Sequence, residues 1–180
     1  IRISAFFVYL PIFLRCFFNL AFSFLCGSSP YLFGANAALG FGHTRLSILD
    51  LSEHGHQPMQ FGPFTVVFNG EIYNAPTLRE QLQENRPASL WQGHSDTEVL
   101  FQGLVQRGVG FLRQVEGMFA FLWWRPTEGR LVLARDPLGI KPLFTSVQRN
   151  ALVVASEVRA ILASGMSSSE WDQGSLAGYL

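Results

Sequence analysis

The chain has 180 residues, a formal net charge of zero, 48% hydrophobic residues and 14% charged residues. This composition is typical of a globular protein and excludes global disorder, and with no basic stripe nothing indicates nucleic-acid binding. The length suits one domain, with or without an appendage.

The first 26 residues form a nearly continuous apolar run whose charges are Arg2 and Arg15. Three interpretations are open: a segment foreign to the domain, such as a misjoined start; a membrane or signal segment; or domain core. We favour the first, because a membrane helix would hold Arg15 near mid-bilayer at a cost of about 2.5–3.5 kcal/mol. Since Ile1 is not an initiator residue, we expect a fragment or a processed product. We divide the chain into an apolar segment, residues 1–33, and a domain, residues 34–180.

Neither the cysteines nor the histidines predict a metal site. Cys16 and Cys26 lie in the apolar segment and are too few for a disulfide framework. His54 and His56 lie in a turn-rich loop, residues 52–59, with no carboxylate or cysteine spaced to complete a zinc site. The lack of cysteine after residue 34 agrees with a reducing cytoplasm without proving one.

The stretch before that loop, F-G-H-T-R-L-S-I-L-D-L from Phe41, predicts a strand interrupted near Asp50. If it is extended, His43 and Arg45 share one face.

A buried strand is predicted at residues 64–68, which are apolar or β-branched and lead into Asn69, Gly70 and Glu71. A strand that stops on Asn-Gly exposes an amide side chain and an unhindered backbone N–H, a pair of donors suited to a developing oxyanion. Asn-Gly is also the strongest short turn signal, so a hairpin turn is the alternative. These residues alone leave both interpretations open.

Two helices should follow. Asn74 is expected to cap the first, which runs to about residue 85, and residues 91–94 are expected to form a strand. Ser95 and Glu98 predict a capping box that opens the second helix, whose Val99, Leu100, Leu104 and Val105 would face inward. Asp96 then occupies the first helical position, where the helix dipole by itself favours an anion.

The remaining pattern is mostly β. Strands are predicted at residues 118–124, 131–134, from 143 and at 151–155, followed by a helix that Gly165 ends. Arg135 and Asp136 are expected to form a buried ion pair that shapes the turn before the third of these strands. Because strands and helices are segregated in runs, the fold class is α+β, with mostly antiparallel sheets and helices packed outside.

The domain contains, in order, G-H-T-R-L-S-I-L-D-L, G-H-Q-P-M, F-N-G-E-I-Y-N, S-D-T-E, G-M-F-A-F and A-R-D-P-L-G-I-K-P-L. This set closely resembles the glutaminase domain of class II glutamine amidotransferases, specifically that of glutamine-hydrolysing asparagine synthetases, over residues 38–180. The resemblance implies a sandwich of two antiparallel sheets between helical layers, the N-terminal-nucleophile amidotransferase fold, here incomplete at the amino end.

The resemblance also implies a pocket for free glutamine. Arg45 would bind the α-carboxylate, and Glu71 and Asp96 would hold the α-ammonium. The Asn69 side chain and the Gly70 N–H would form the oxyanion hole and so act in catalysis.

The chain departs from the family pattern at the nucleophile. That residue is an N-terminal cysteine whose own amine acts as base, in a C-G-I segment followed by H-R-G-P-D. In this chain the candidate nucleophile is Cys26, but 25 residues come before it. No H-R-G-P-D motif occurs in the sequence. We therefore expect a glutaminase portion that is inactive as this fragment.

The resemblance implies that the chain's partners are glutamine and a synthetase domain beyond residue 180, with a homodimer left open. ATP and magnesium are expected in that domain and no cofactor in this chain. The expected location is cytoplasmic, and the expected activity is that of an asparagine synthase. The alternative is a non-catalytic glutamine-binding or interaction domain, tethered to a membrane by residues 1–26.

Overall fold

The computed structural model describes residues 39–43, 55–84, 91–148 and 151–170, together with 174 and 178. The apolar segment, Cys26 and Arg45 lie outside these residues. Within them the elements run in the order β1 (Met59–Phe61), β2 (Phe64–Ile72), α1 (Ala75–Gln83), α2 (Asp96–Arg107), a 3-10 helix (Gly108–Gln114), β3 (Gly117–Arg125), a short 3-10 turn (Pro126–Glu128), β4 (Arg130–Arg135), β5 (Phe144–Gln148), β6 (Ala151–Ala155) and α3 (Val158–Ala163).

The strands form two antiparallel sheets. One has the order β1-β2-β3-β4, and the other consists of β5 and β6. β2 and β3 lie at the centre of the four-stranded sheet, with Val67 opposite Leu122 and Gly70 opposite Phe119. The prediction of antiparallel sheets is confirmed.

The alternation of side chains along β2 and β3 separates two cores, because successive residues of a strand point to opposite faces. Phe68, Phe121 and Trp123 pack on one face against α1, α2 and the 3-10 helix. Val67 and Leu122 pack on the other face against Val154 of β6. Each large apolar side chain of this kind stabilises the fold by about 1.5–3 kcal/mol when fully buried.

A third core lies on the outer side of the two-stranded sheet, where Val153 and Ala155 pack against Ile161 of α3. The layers are therefore helix, sheet, sheet, helix, which confirms the predicted sandwich with helices outside. Among the residues described, no helix combines the length and apolar character needed to cross a bilayer.

Two local predictions are wrong. Residues 91–94 are not a strand, because the N–H groups of Gln92 and Gly93 donate to the Glu98 carboxylate instead of to a neighbouring strand. Asn74 stands at the start of α1 but makes no side-chain cap. Its amide instead bonds the carbonyl of Gln114 and the N–H of Glu116, and so ties α1 to the start of β3.

Candidate functional site

The S-D-T-E sequence begins α2, and each side chain has a separate contact. Ser95 Oγ accepts the Glu98 N–H at 3.2 Å, which is the predicted N-cap. The Glu98 carboxylate does not complete the capping box, since it holds the preceding loop and lies 3.6 Å from Arg79. Asp96 turns toward β2, where its Oδ2 accepts the Ile72 N–H at 3.0 Å. The helix start is therefore attached to the sheet beside Asn69, Gly70 and Glu71.

Asp96 is a buried carboxyl with a perturbed acidity. Its residue is 8% exposed. Burial raises the pKa of the Asp96 carboxyl, the hydrogen bonds from the Ile72 and Thr97 N–H groups partly offset this, and the negative charge of Glu71 raises the pKa further. A cation placed beside these two carboxylates would relieve both the burial and the repulsion.

Asn69 and Gly70 lie inside β2, which continues to Ile72, so the hairpin-turn interpretation is wrong. Opposite them in β3 are Ala120 and Phe119. The two strands approach closely here, because a Cβ built on Gly70 would lie 2.2 Å from the Met118 carbonyl oxygen. Asn69 is half-buried and Glu71 is exposed, and they share the face of β2 that carries Val67.

The register also fixes the direction of the Gly70 N–H. Phe119 uses its N–H and its C=O on Asp136, at 3.2 and 2.7 Å, on the far side from β2. In an antiparallel pair the N–H and C=O of one residue point the same way, so Gly70 and Phe119 do not bond each other. The Gly70 N–H therefore points to the opposite edge of β2, as those of Phe68 and Ile72 do. In the part of the chain described, no residue accepts it.

The turn after β4 holds Phe119 on the side away from β2, through Asp136. The carboxylate of Asp136, 4% exposed, also accepts the N–H groups of Ile140 and Lys141. Burial by itself raises the pKa of the Asp136 carboxyl, but the hydrogen bonds from Lys141, Ile140 and Phe119 outweigh it, and the pKa is lowered. The predicted buried ion pair is wrong in its partners, because Arg135 is exposed and donates to the carbonyls of Gly139 and Lys141.

The structure thus brings together four of the five predicted site residues, namely Asn69, Gly70, Glu71 and Asp96. Arg45 lies outside the described residues, and so does His54, whereas His56 is exposed. Within the described ranges, no three His, Cys, Asp or Glu side chains are placed to hold a metal ion.

Sequence reasoning missed two residues that lie beside this group, Gln57 and Thr97. Gln57 Oε1 accepts the Phe68 N–H at 2.6 Å, and its Nε2 donates to Thr97 Oγ1 at 3.4 Å. Gln57 lies in the G-H-Q-P-M motif and Thr97 in the S-D-T-E motif. No rule of sequence spacing predicts a contact between side chains 40 positions apart.

A family model described as a glutamine amidotransferase domain matches residues 30–180. Among curated relatives, the "Putative asparagine synthetase (glutamine-hydrolyzing)" of Mycobacterium tuberculosis is 40% identical over 72% of this chain and 20% of its own length. Amidase chry2 of Gibberella zeae is 38% identical over 77% of this chain and 20% of its own length. The chain spans about a fifth of the length of these relatives.

Solved structures are also similar to the chain, and one of them matches most of it. It is the glutamine phosphoribosylpyrophosphate amidotransferase from Bacillus subtilis complexed with ADP and GMP. It is 28% identical, with a TM-score of 0.61, over 73% of this chain and 30% of its own.

Proposed function

The chain belongs to the glutamine amidotransferase domain family, and from that premise we propose that the corner formed by Asn69, Gly70, Glu71 and Asp96 binds free glutamine. The α-ammonium lies beside Asp96 and Glu71. The amide carbonyl of the ligand accepts from the Asn69 side chain and the Gly70 N–H. Arg45 binds the α-carboxylate, a role that rests on its sequence motif alone.

One observation supports this proposal above the others: the 3.0 Å hydrogen bond from the Ile72 N–H to Asp96. It sets a buried carboxylate against the strand segment that carries the two carbonyl-binding donors. A single small ligand with an ammonium at one end and an amide at the other would span these groups. The raised pKa of Asp96 fits the same assignment, because an ammonium ion would favour the charged form of the carboxyl.

The chemistry that this corner offers is stabilisation of negative charge on the amide oxygen. When a nucleophile attacks the carboxamide carbon, the carbonyl oxygen becomes an oxyanion, and preorganised donors then bind it more strongly than they bind the ground-state carbonyl. Loss of one such donor typically costs about 10²–10³ in rate.

We propose that this chain binds glutamine without hydrolysing it. The amine of Cys26 is engaged in a peptide bond with Leu25, so it cannot act as the base that an N-terminal cysteine provides. We expect no release of ammonia from glutamine by the chain. Release that is lost in Cys26→Ala would overturn this part of the proposal.

Relatives named as asparagine synthetases favour aspartate as the eventual acceptor of ammonia. The synthetase chemistry, with its ATP and magnesium, would belong to residues beyond this chain. Relatives named as amidases favour chemistry on an amide other than asparagine synthesis. Because this chain is proposed to release no ammonia from glutamine, a product assay of the longer protein with aspartate, ATP and added ammonia would separate the two.

Calorimetry tests glutamine binding directly. We expect L-glutamine to bind and D-glutamine to bind far more weakly, because inversion at Cα moves the ammonium away from Asp96. Asp96→Asn should lower the affinity about 10- to 100-fold, since a hydrogen bond to a charged group contributes about 1.5–3 kcal/mol. Glu80→Ala, at an exposed acidic residue of α1, is the matched control and should change nothing. Absence of L-glutamine binding, or equal binding by Asp96→Asn, would refute the assignment.

A further inference from the structure

Among the described residues, no strand pairs with the outer edge of β2 beyond residue 66. β1 pairs with β2 only over residues 64–66, with Met59 opposite Val66. The next donors along that edge are the N–H groups of Phe68, Gly70 and Ile72, because alternate residues of a strand point the same way. Each would be exposed to solvent or left unpaired unless a side chain accepted it.

Two side chains accept N–H groups of this edge, one on each side of Gly70. Gln57 Oε1 accepts the Phe68 N–H at 2.6 Å, and Asp96 Oδ2 accepts the Ile72 N–H at 3.0 Å. Between them, the Gly70 N–H has no acceptor among the residues that the structure describes, and a ligand could supply one. The edge is therefore fixed at two points that are four residues apart, with the proposed carbonyl-binding donor midway.

A second contact joins these two points. The Nε2 of Gln57 donates to Thr97 Oγ1 at 3.4 Å, and Thr97 follows Asp96 in the first turn of α2. Gln57 thus connects the edge of β2 with the helix start that carries the carboxylate. A carboxamide suits this position, because it accepts at one atom and donates at the other.

We propose that Gln57 is a positioning residue, which holds the Gly70 N–H in register with Asp96 so that one ligand can bind both. This inference rests on the proposed function. It goes beyond that function by assigning the placement of the carbonyl-binding donor to a side chain that does not itself touch glutamine.

The test compares two ligands that differ only in the group that Gly70 would bind. L-Norvaline has the α-ammonium, the α-carboxylate and the three side-chain carbons of L-glutamine, but it has no carboxamide. Gln57→Met keeps the length of the side chain and removes its hydrogen bonds. We expect this variant to lower glutamine affinity by about 3- to 10-fold, the worth of one hydrogen bond, and to leave norvaline affinity nearly unchanged.

Gln60→Met is the matched control, because Gln60 is an exposed glutamine of β1. It should alter neither affinity. Gln57→Glu keeps an acceptor for the Phe68 N–H, so it should retain most of the wild-type ratio of glutamine to norvaline affinity. Equal losses of both ligands in Gln57→Met, or an unchanged ratio, would overturn the proposal. A wild-type protein that binds neither ligand would instead overturn the proposed function itself, and this inference with it.

Amide hydrogen exchange gives a readout that does not depend on a ligand. The Phe68 amide should exchange faster in Gln57→Met than in the wild type, and the Gly70 resonance should shift, while Gln60→Met leaves both unchanged. Wild-type exchange at Phe68 in Gln57→Met would show that the side chain does not hold the strand edge, and would overturn the proposal even where both ligands still bind.

Discussion

Substitution of Gly70 by alanine tests whether β2 and β3 must approach closely at the candidate site. A Cβ at this position would lie 2.2 Å from the Met118 carbonyl oxygen and 2.7 Å from the Phe119 Cα. Real Cβ atoms essentially never approach another atom within 3.0 Å. Both obstacles are backbone atoms of the central strand pair, so no side-chain rotation can relieve the overlap.

The magnitude follows from the size of that overlap. An oxygen that must retreat by nearly 1 Å forces the two strands apart next to the pairs Asn69–Ala120 and Glu71–Met118, which flank Gly70. Overpacking of a core costs about 1–3 kcal/mol, and a backbone obstacle puts Gly70→Ala near the upper end, at about 3 kcal/mol. For a domain of this size, each kcal/mol lowers the melting temperature by about 2–4 °C, so we expect a fall of about 6–12 °C.

Differential scanning calorimetry measures this directly, with Gly110→Ala as the matched control. A Cβ on Gly110 meets nothing within 4 Å, so that variant should melt at the wild-type temperature or slightly above it. Glutamine binding should be lost in Gly70→Ala, because separation of the strands displaces the Gly70 N–H. A Gly70→Ala protein that melts with the wild type and binds glutamine normally would refute the reasoning.

Three further predictions concern buried carboxylates. Because the pKa of Asp96 is raised, the loss of glutamine affinity on acidification should begin at a higher pH than an ordinary aspartate would give. The same carboxyl destabilises the fold as pH rises through its raised pKa. Asp96→Asn should remove the pH dependence of affinity in calorimetry and that of stability in urea titrations. The pKa of Asp136 is lowered, so its carboxylate stabilises the fold above the usual aspartate pKa, and this stabilisation is lost as pH falls through the lowered pKa. Asp136→Asn should therefore lower the urea midpoint at neutral pH and make that midpoint less dependent on acid pH. Glu98→Gln should cost about 1.5–3 kcal/mol in urea unfolding, because the N–H groups of Gln92 and Gly93 both lose a charged acceptor and one of them then faces an NH2 group. Unchanged midpoints in either stability variant would contradict these assignments.

The elements with a strong periodic pattern were predictable from the sequence. Apolar runs gave β2, β3 and β6, and Ser95 gave the start of α2, because these signals depend on residues within a few positions of one another. The motifs also identified the family and four residues that the fold places at one corner. The weaker signal at residues 91–94 was misread as a strand, since a distant carboxylate competes for its N–H groups.

The chain pattern alone therefore determined the strongly periodic strands and helices, and which motifs to compare with known families. Only the tertiary structure decided that Asn69 and Gly70 lie within a strand, that the Gly70 N–H points away from β3, and that Gln57 and Asp96 occupy that edge of β2 on either side of it. The reason is that the partner of a backbone N–H at a sheet edge is chosen by packing. Here the acceptors come from 11 and 24 positions away, beyond the reach of any local rule.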